Sequence, residues 1–539
     1  MSLQVQEPWE IPEETKKIGE KLLKKGSLYQ LVGDEIFEQY RESDFADLYS
    51  KEGKPGISPV ILAFVSIFQF VEDYPDREAA EAMRMRIDWK YAMHLPLDYA
   101  GFDYSVLCEF RERLLKGKAE TRIFDLLVKI LKDKGLIKNR GKQRTDSTHV
   151  LSKVRTLSRV EMVVETLRLA VSAVMKNERE WGEKTTPPSF EERYGERIVI
   201  QHHTKSEWQE IKKQIGADGA WFIQQLETEG APAELQDLPE VQVLKTVWAQ
   251  QFRTEEGQIV FTDAMNHYNG FERIQTPHDP EARYSKKRKI EWIGDKVQVT
   301  ETVDQGYPNL ITDIAGTKSN LTDNQELLSI HKRLEERDCL PAQHYTDSGY
   351  MSGPNLQQSL EREIDLIGFL PPVITKQHKI PDGITWEQFS IDVKQRRVTC
   401  PAGHTVGRAT QSGQLLRFYF PKSVCQNCLL HDRCCTGKGG RMIGVNLHFD
   451  LLQVVRARQK EERYKKDYHQ HRSGVEGTLS AMVRGNGLRV SRYIGQRQRH
   501  LQSVLSGCAV NLSRTARWQA GIRPQKPRKV GWGLQKQSF

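Results

Sequence analysis

A chain of 539 residues is longer than a single hydrophobic core usually needs, so its length predicts two to four structural units. A composition of 38 % hydrophobic and 28 % charged residues is typical of a soluble globular protein and argues against a membrane protein or a disordered one. The most apolar run, residues 57–71, is too short and too polar to cross a bilayer, and residues 1–19 lack the order of a secretion signal. We therefore expect a cytoplasmic protein with no membrane partner.

The positive net charge of +9 is concentrated at the C-terminal end of the chain. No Asp or Glu follows Glu476, and the other 68 basic side chains of the protein are balanced by 71 acidic ones. The cations beyond Glu476 are Arg484, Arg489, Arg492, Arg497, Arg499, Arg514, Arg517, Arg523, Lys526, Arg528, Lys529 and Lys536. A segment with one sign of charge suits the phosphate backbone of DNA, because neutralised phosphates release counterions. A basic solvated tail is the alternative interpretation.

Residues 1–140 are predicted to be helical. Ser58 before Pro59 is a helix start signal, and a second helix is expected to begin at Asp76, after which apolar residues recur at helical spacing. Several short helices in succession are typical of a DNA-binding domain and equally of a plain helical bundle.

A strand that contains Asp146 is predicted after Gly141, and a helical insertion is predicted to follow it over residues 158–260. Ser158 and Glu161 form a capping-box pair before an amphipathic helix. Ser206 and Gln209 are expected to open a similar helix. The insertion would interrupt a catalytic core whose first part is 141–157.

Strand-like patterns resume after the insertion. Strands are predicted near 296–302 and 309–315, a helix over 323–337, and a further strand over 364–370, with Asp347 where the strand before Ser348 ends. Strands and helices in alternation predict a mixed α/β core. The core would continue over 261–375 and 448–520, and a cysteine-bearing insertion would occupy 376–447.

The C-terminal segment combines an apolar stripe with cations. Apolar side chains at helical spacing from Leu501 to Leu512 predict a helix that packs on the core sheet. Arg489, Arg492 and the aromatic Tyr493 precede it, a combination that can follow a DNA strand. The basic tail, 521–539, is expected to be mobile until DNA binds.

Three acidic residues have the context that phosphodiester chemistry needs. Cleavage of a phosphodiester requires an in-line nucleophile and relief of charge, which two divalent ions held by carboxylates supply. Asp146 lies in a β-prone run beside Ser147, and Asp347 lies where a strand gives way to Ser-Gly, a usual place for ligands in α/β sheets. Caps of turns are the alternative role for both aspartates.

The third acidic residue, Glu476, shares one helical face with Arg472 and His469. Arg472 could bind a phosphate or pair with Glu476 at the surface. Gly474 and Gly477 flank this face, and because glycine weakens a helix, both need a reason such as close approach by another backbone or by DNA.

Five of the eight cysteines lie between residues 400 and 435. In a cytoplasmic protein, such clustering indicates a metal site more than disulfides. Cys425-x2-Cys428 is a knuckle suited to tetrahedral zinc, and Cys400 and Cys434 can complete four sulfur ligands. The remaining candidates for the fourth ligand are His404 and Cys435. An iron–sulfur cluster or free thiols are the alternatives to zinc.

The motifs Thr-Asp146-Ser-Thr, Thr-Asp347-Ser-Gly-Tyr and Arg472-x3-Glu476 resemble the three signature blocks of DDE transposases from bacterial insertion sequences. The likeness extends from about residue 28 to 512, and residues 279–283 with Gly294-Asp295-Lys296 resemble a further block. In that block Asp295 replaces the usual tyrosine. The glutamate signature also departs from the family, because Tyr468 lies one residue early and Val483 stands where relatives have lysine, with Arg484 the nearest cation.

The resemblance implies a multidomain α+β protein with a ribonuclease H-like mixed α/β catalytic core, an N-terminal helical DNA-binding domain, a helical insertion and a small zinc-ribbon-like insertion. It implies that Asp146, Asp347 and Glu476 are catalytic and bind two Mg²⁺ (or Mn²⁺) ions. Partners would be double-stranded DNA, as terminal inverted repeats and target, and a second copy of the chain in the DNA complex, in a bacterial cytoplasm near the nucleoid. The alternatives are a catalytically silent DNA-binding repressor and a nuclease without strand transfer. The residues expected to contact DNA are Arg472, His469, Arg484, Arg489, Arg492 and Lys296.

Overall fold

The computed structural model of the chain describes residues 2–3, 10–155, 157–196, 204–262, 272–435, 437 and 439–523. Within these ranges no helix combines the length and the hydropathy needed to cross a membrane. Because the described residues end at 523, the basic tail predicted over 521–539 lies mostly outside them.

The described chain is rich in α-helices, many of them short. In chain order they are α1 (Glu13–Leu22), α2 (Leu28–Leu31), α3 (Pro59–Glu72), α4 (Asp76–Met85), α5 (Ile87–Ala92), α6 (Ser105–Lys116), α7 (Arg122–Asp133), α8 (Arg159–Asn177), α9 (Arg179–Thr185), α10 (Ser189–Tyr194), α11 (Lys205–Leu226), α12 (Pro239–Gln251), α13 (Asp323–Glu336), α14 (Gly353–Glu361), α15 (Lys422–Gln426), α16 (His431–Cys434), α17 (Phe449–Arg458), α18 (Glu462–Arg472), α19 (Gly474–Gly485) and α20 (Gln496–Gln519).

The strands fall into a central sheet and three small ones. In chain order they are β1 (Lys142–Leu151), β2 (Phe252–Glu255), β3 (Gln258–Phe261), β4 (Arg283–Lys287), β5 (Ile290–Thr302), β6 (Ile311–Lys318), β7 (Gln343–Tyr345), β8 (Asp365–Ile367), β9 (Ser390–Asp392), β10 (Arg397–Thr399), β11 (Thr405–Val406), β12 (Ala409–Ser412), β13 (Leu415–Tyr419) and β14 (Met442–Asn446).

The central sheet is mixed. Its strand order is β4–β5–β1–β7–β8, and β6 also pairs with β5. β1 is antiparallel to β5 from Gln143 to Leu151, whereas it is parallel to β7, which is parallel to β8. The expected mixed α/β core is confirmed, and the strand predicted over 364–370 is shorter than expected.

The N-terminal helices share one hydrophobic core with the sheet. The apolar run of α3 is buried from Pro59 to Phe70, and the expected helix starts at Pro59 and Asp76 are confirmed. The Ser58 hydroxyl, however, finds no hydrogen-bond partner among the residues that the structure describes. The apolar stripe of α20 is buried as predicted, because this helix packs against β6 on one side and against α3 and α7 on another.

The insertion after β1 has its own hydrophobic core, formed mainly by α8, α11 and α12. The Ser158–Glu161 capping box is confirmed: the Glu161 amide donates to Ser158 Oγ (3.3 Å) and the Ser158 amide donates to Glu161 Oε2 (2.8 Å). The start expected at Ser206 was wrong by two residues, because Thr204 caps α11 with Glu207 as its capping-box partner. The expectation of an all-helical block was also wrong, because β2 and β3 form a hairpin at its end.

The cysteine-bearing region consists of two antiparallel three-stranded sheets, β11–β10–β9 and β12–β13–β14, with α15 and α16. Its small core contains Val398, Leu416, Phe418 and Ile443, with Cys425 buried among them. Cys400, Cys434 and Cys435 are partly buried and pack against this core, and Cys428 is also partly buried.

Candidate active site

Asp146 lies on β1, and Asp347 lies two residues beyond the end of the neighbouring parallel strand β7. The register of β1 and β7 pairs Arg144 with Tyr345, and both chains continue two residues further to the aspartates. Because residues at the same register level point to the same face and parallel strands are about 4.8 Å apart, the two carboxylates converge. The sheet itself thus creates the pair from residues 201 positions apart in sequence.

Backbone amides fix one oxygen of each aspartate. The Ser147 amide donates to Asp146 Oδ1 (2.8 Å), and the Gly349 amide donates to Asp347 Oδ1 (2.8 Å). The second oxygens face the guanidinium of Arg472, whose Nη2 lies 2.9 Å from Asp146 Oδ2 and 4.0 Å from Asp347 Oδ2. Burial, and after it the negative charge of Asp146, raises the pKa of Asp347 above its ordinary value.

A third aspartate, Asp323, lies beside this pair. Its Oδ1 accepts hydrogen bonds from Ser147 Oγ (3.2 Å) and Gln298 Nε2 (3.3 Å), and Lys296 Nζ is 3.4 Å away. A Cβ on Gly349 would come within 3.4 Å of Asp323 and 2.9 Å of Asp347, which shows how close the two carboxylates are. Sequence reasoning used Asp323 only as a helix start, and its place opposite the sheet edge carries no sequence signal of its own.

Glu476 stands apart from the aspartate pair in the described structure. It is exposed on the first turn of α19, whereas Arg472, at the end of α18, is only 7 % exposed. Among the ion pairs of the described residues, Arg472 contacts Asp146 and Asp347 and not Glu476, so surface pairing does not explain the spacing of Arg472 and Glu476. Nor do any three His, Cys, Asp or Glu side chains within the described residues form a group that could hold a metal ion.

A buried ion cluster connects the strand of Asp146 to the helices of Arg472 and Glu476. Glu301 is fully buried and accepts hydrogen bonds from Arg144 Nε (2.7 Å), Arg514 Nη1 (2.6 Å) and Thr478 Oγ1 (2.8 Å). Arg144 Nη1 also donates to the carbonyl oxygen of His471 (2.6 Å). The cluster therefore fixes the junction of α18 and α19 against β1.

Two family models match parts of the chain. Residues 399–516 match a family described as a transposase DDE domain, and residues 18–113 match one described as Transposase domain (DUF772). The resemblance to insertion-sequence DDE transposases is confirmed. The matched segments include Glu476 and all five cysteines of the cluster, but neither Asp146 nor Asp347. No curated protein and no solved structure matches the chain in the same comparisons.

The remaining cations predicted to contact transposon DNA differ in what they do in the fold. Arg489 donates to the His149 carbonyl oxygen and to Thr148 Oγ1 and so fastens the chain to β1. Arg492 pairs with Asp73 and donates to the Tyr74 carbonyl oxygen (2.6 Å).

Two more of these residues are exposed. His469 lies on α18 and Arg484 on α19, both at the solvent surface. Lys296, by contrast, is half-buried and donates to the Leu321 carbonyl oxygen (2.6 Å) beside the aspartates. The exposed pair is thus more accessible to solvent than Arg489 and Arg492, which have partners within the fold.

The cysteines of the predicted zinc site surround one small cavity of about 30 Å³. Its walls include Cys400, Cys425, Cys428, Cys434, Cys435, His404 and His431. The Arg441 amide donates to Cys425 Sγ (3.4 Å) and the Leu430 amide donates to Cys428 Sγ (3.4 Å). Burial, followed by the neighbouring thiols, raises the pKa of Cys435 to about 12. The cysteines thus converge, although they do not form a metal-binding arrangement within the described residues.

Proposed function

We propose that the chain is a DNA transposase that binds the terminal inverted repeats of an insertion sequence and catalyses phosphodiester hydrolysis and strand transfer with Asp146, Asp347 and Glu476. The observation that carries the proposal is the register of β1 and β7, which brings Asp146 and Asp347 together in a chain with transposase domains. We also propose that the mixed sheet and its helices are the ribonuclease H-like core implied by the resemblance.

The aspartate pair fits a divalent metal ion. Each aspartate has one oxygen held by a backbone amide, so the other is directed to a common gap. The raised pKa of Asp347 reflects burial and repulsion by Asp146, and a divalent cation would relieve that repulsion. Asp146 and Asp347, with Glu476 as the third ligand, would hold two Mg²⁺ or Mn²⁺ ions, which when bound neutralise phosphate charge and activate water.

The chain's own residues provide orientation and charge around that gap. Arg472 is positioned to bind a phosphate oxygen, because its guanidinium lies beside both carboxylates. The Arg144–Glu301 cluster keeps the junction of α18 and α19 against β1, so Arg472 stays beside the aspartates. Exposed His469 and the cations of α19 onward would extend the contact along DNA.

A working transposase joins two transposon ends, so we propose a dimer in the DNA complex and a location in the bacterial cytoplasm near the nucleoid. The DNA partners would be the terminal inverted repeats and the target duplex. Arg484 remains a proposed DNA contact because it is exposed. Arg489, Arg492 and Lys296 would contribute to DNA binding through the structure they stabilise, or directly after their side chains leave their present partners.

We further propose that Cys400, Cys425, Cys428 and Cys434 hold a structural zinc ion, with His404 and Cys435 as rivals for the fourth position. The support is their convergence on one cavity and the backbone amides that donate to Cys425 and Cys428, since thiolates bound to a metal accept such bonds. Elemental analysis of protein purified without a histidine tag tests the site. Less than about 0.3 zinc per chain would remove it.

The test of catalysis uses the amide variants Asp146→Asn, Asp347→Asn and Glu476→Gln, with Asp338→Asn as the control because Asp338 is exposed. The substrate is a labelled duplex that ends in the matching inverted repeats found beside the gene, incubated with Mg²⁺. We expect each active-site variant to lose donor cleavage and the control to keep it. Full cleavage by any one of the three removes that residue from the site.

The same reaction separates the competing functions. Strand-transfer products joined to target DNA indicate a transposase, cleavage without joining indicates a nuclease, and binding of the ends without cleavage indicates a repressor. Intact aspartates in a converged pair favour the first outcome over the last.

A further inference from the structure

Arg472 occupies the position that a cation bound by both aspartates would need. Its Nη2 is 2.9 Å from Asp146 Oδ2 and 4.0 Å from Asp347 Oδ2, and the residue is 7 % exposed. A guanidinium in this gap neutralises the pair in the same way as a divalent ion. Two cations close together in a buried gap repel each other strongly, so they compete for it.

The hydrogen bonding of Arg472 is incomplete. Its Nε and Nη1 are buried and have no hydrogen-bond partner within the described residues. A guanidinium has five N–H donors, and buried donors without acceptors are unfavourable. Arg472 therefore has two nitrogens that can still donate hydrogen bonds to an anionic ligand. A DNA phosphate is such a ligand, and arginine binds it with two parallel hydrogen bonds.

The backbone beside Arg472 is held independently of its side chain. The His471 carbonyl oxygen accepts a hydrogen bond from Arg144 Nη1 (2.6 Å), which fixes the backbone next to Arg472. A change of partner from carboxylate to phosphate would therefore be a rotation of the Arg472 side chain on a fixed helix.

We propose that Arg472 is an internal counterion that competes with the divalent metal ion at the aspartate pair, and that it yields this position when its guanidinium engages a DNA phosphate. Metal binding and DNA binding are then coupled, each strengthening the other. This inference rests on the proposed function, since it assigns the metal to Asp146 and Asp347. It protects DNA-free protein from loading metal, because the site is already neutralised.

The test measures Mn²⁺ binding to the full-length chain by electron paramagnetic resonance, with and without duplex DNA. Arg472→Gln removes the counterion, and we expect it to bind Mn²⁺ about tenfold more tightly than the unaltered chain when DNA is absent. Addition of DNA should tighten Mn²⁺ binding by the unaltered chain about tenfold and change the variant little. Arg463→Gln, which removes an exposed cation near the start of the same helix, is the matched control and should behave as the unaltered chain.

Two further variants keep the outcomes separable. Arg472→Lys retains a cation but loses the planar fork, so it should keep weak Mn²⁺ binding without DNA and lose most of the enhancement by DNA. Equal or weaker Mn²⁺ binding by Arg472→Gln, with a circular dichroism spectrum like that of the unaltered chain, overturns the inference. If Asp146→Asn leaves Mn²⁺ binding unchanged, the proposed function fails instead, whatever Arg472 does.

Discussion

Two glycines of α19 provide a matched test of how this helix is held to the sheet. A Cβ added to Gly474 would lie 2.2 Å from Arg144 Nη1 and 2.6 Å from its Cζ, whereas a Cβ on Gly477 would meet no atom within 4 Å. The Arg144 guanidinium cannot simply turn away, because Glu301 and the His471 carbonyl oxygen hold it. Gly474→Ala should therefore destabilise the protein, and Gly477→Ala should not.

The magnitudes follow from opposing contributions. Alanine stabilises a helix interior by about 1 kcal/mol relative to glycine, and Gly477→Ala should gain most of that. At Gly474 the same gain is opposed by overpacking, about 1–3 kcal/mol, and by a weakened charged hydrogen bond, about 1.5–3 kcal/mol. We expect Gly474→Ala to lower the free energy of unfolding by about 1.5–5 kcal/mol.

Urea unfolding followed by far-ultraviolet circular dichroism measures both variants against the unaltered chain. A Gly474→Ala protein as stable as the unaltered chain would refute the argument, because the guanidinium would then be free to move. If Gly477→Ala is stable yet binds DNA more weakly, close approach of DNA is the reason for that second glycine.

Three further perturbations test other parts of the structure. Glu301→Gln should lower the free energy of unfolding by about 3–5 kcal/mol, because it leaves buried Arg144 and half-buried Arg514 without their charge partner. Loss of the exposed charge in Asp338→Asn should cost less than about 1 kcal/mol, and equal effects of the two variants in urea unfolding would contradict this. Burial, aided by a neighbouring carboxylate, raises the pKa of Asp295 from 3.8 to about 6, so its contribution to stability is present below pH 4 and lost as the pH rises through 6. Between pH 4 and 7.5, the free energy of unfolding of Asp295→Asn should therefore rise by about 3 kcal/mol relative to that of the unaltered chain. A difference in unfolding free energy that does not change with pH would be evidence against the raised pKa. Removal of zinc by a chelator should lower the melting temperature of the unaltered chain to that of Cys425→Ser, which lacks one of the proposed ligands. Cys108→Ser should respond to the chelator as the unaltered chain does. A chelator that changes no melting temperature argues against a structural metal.

Local patterns were sufficient to predict the elements that position the aspartates. The β-prone run around Asp146 predicted a strand, and the Ser-Gly after Asp347 predicted its place at a strand end. Both depend on short-range backbone preferences that a sequence displays directly. The register that brings the two together depends on which strands pair, and pairing is a property of the whole sheet.

Long-range side-chain partners were beyond sequence reasoning. Arg472 was expected to contact either Glu476 or a phosphate, and it contacts Asp146, which is 326 residues earlier in the chain. The sequence indicated that Gly474 has a structural reason, but this reason is the guanidinium of Arg144 on β1. The cap of α11 was assigned to Ser206 because Thr204 with Glu207 offers the same type of pattern two residues away.

The long excursion between β1 and β4 begins and ends at the same place in the sheet. Leu151, the last residue of β1, and Arg283, the first of β4, both pair with Gly294, one on each edge of β5. Two strand spacings separate them, about 10 Å, which a few residues can bridge. Evolution can therefore enlarge, exchange or discard the intervening module while the ladder beneath Asp146 keeps its alignment, and an engineer could graft a different module at the same two points.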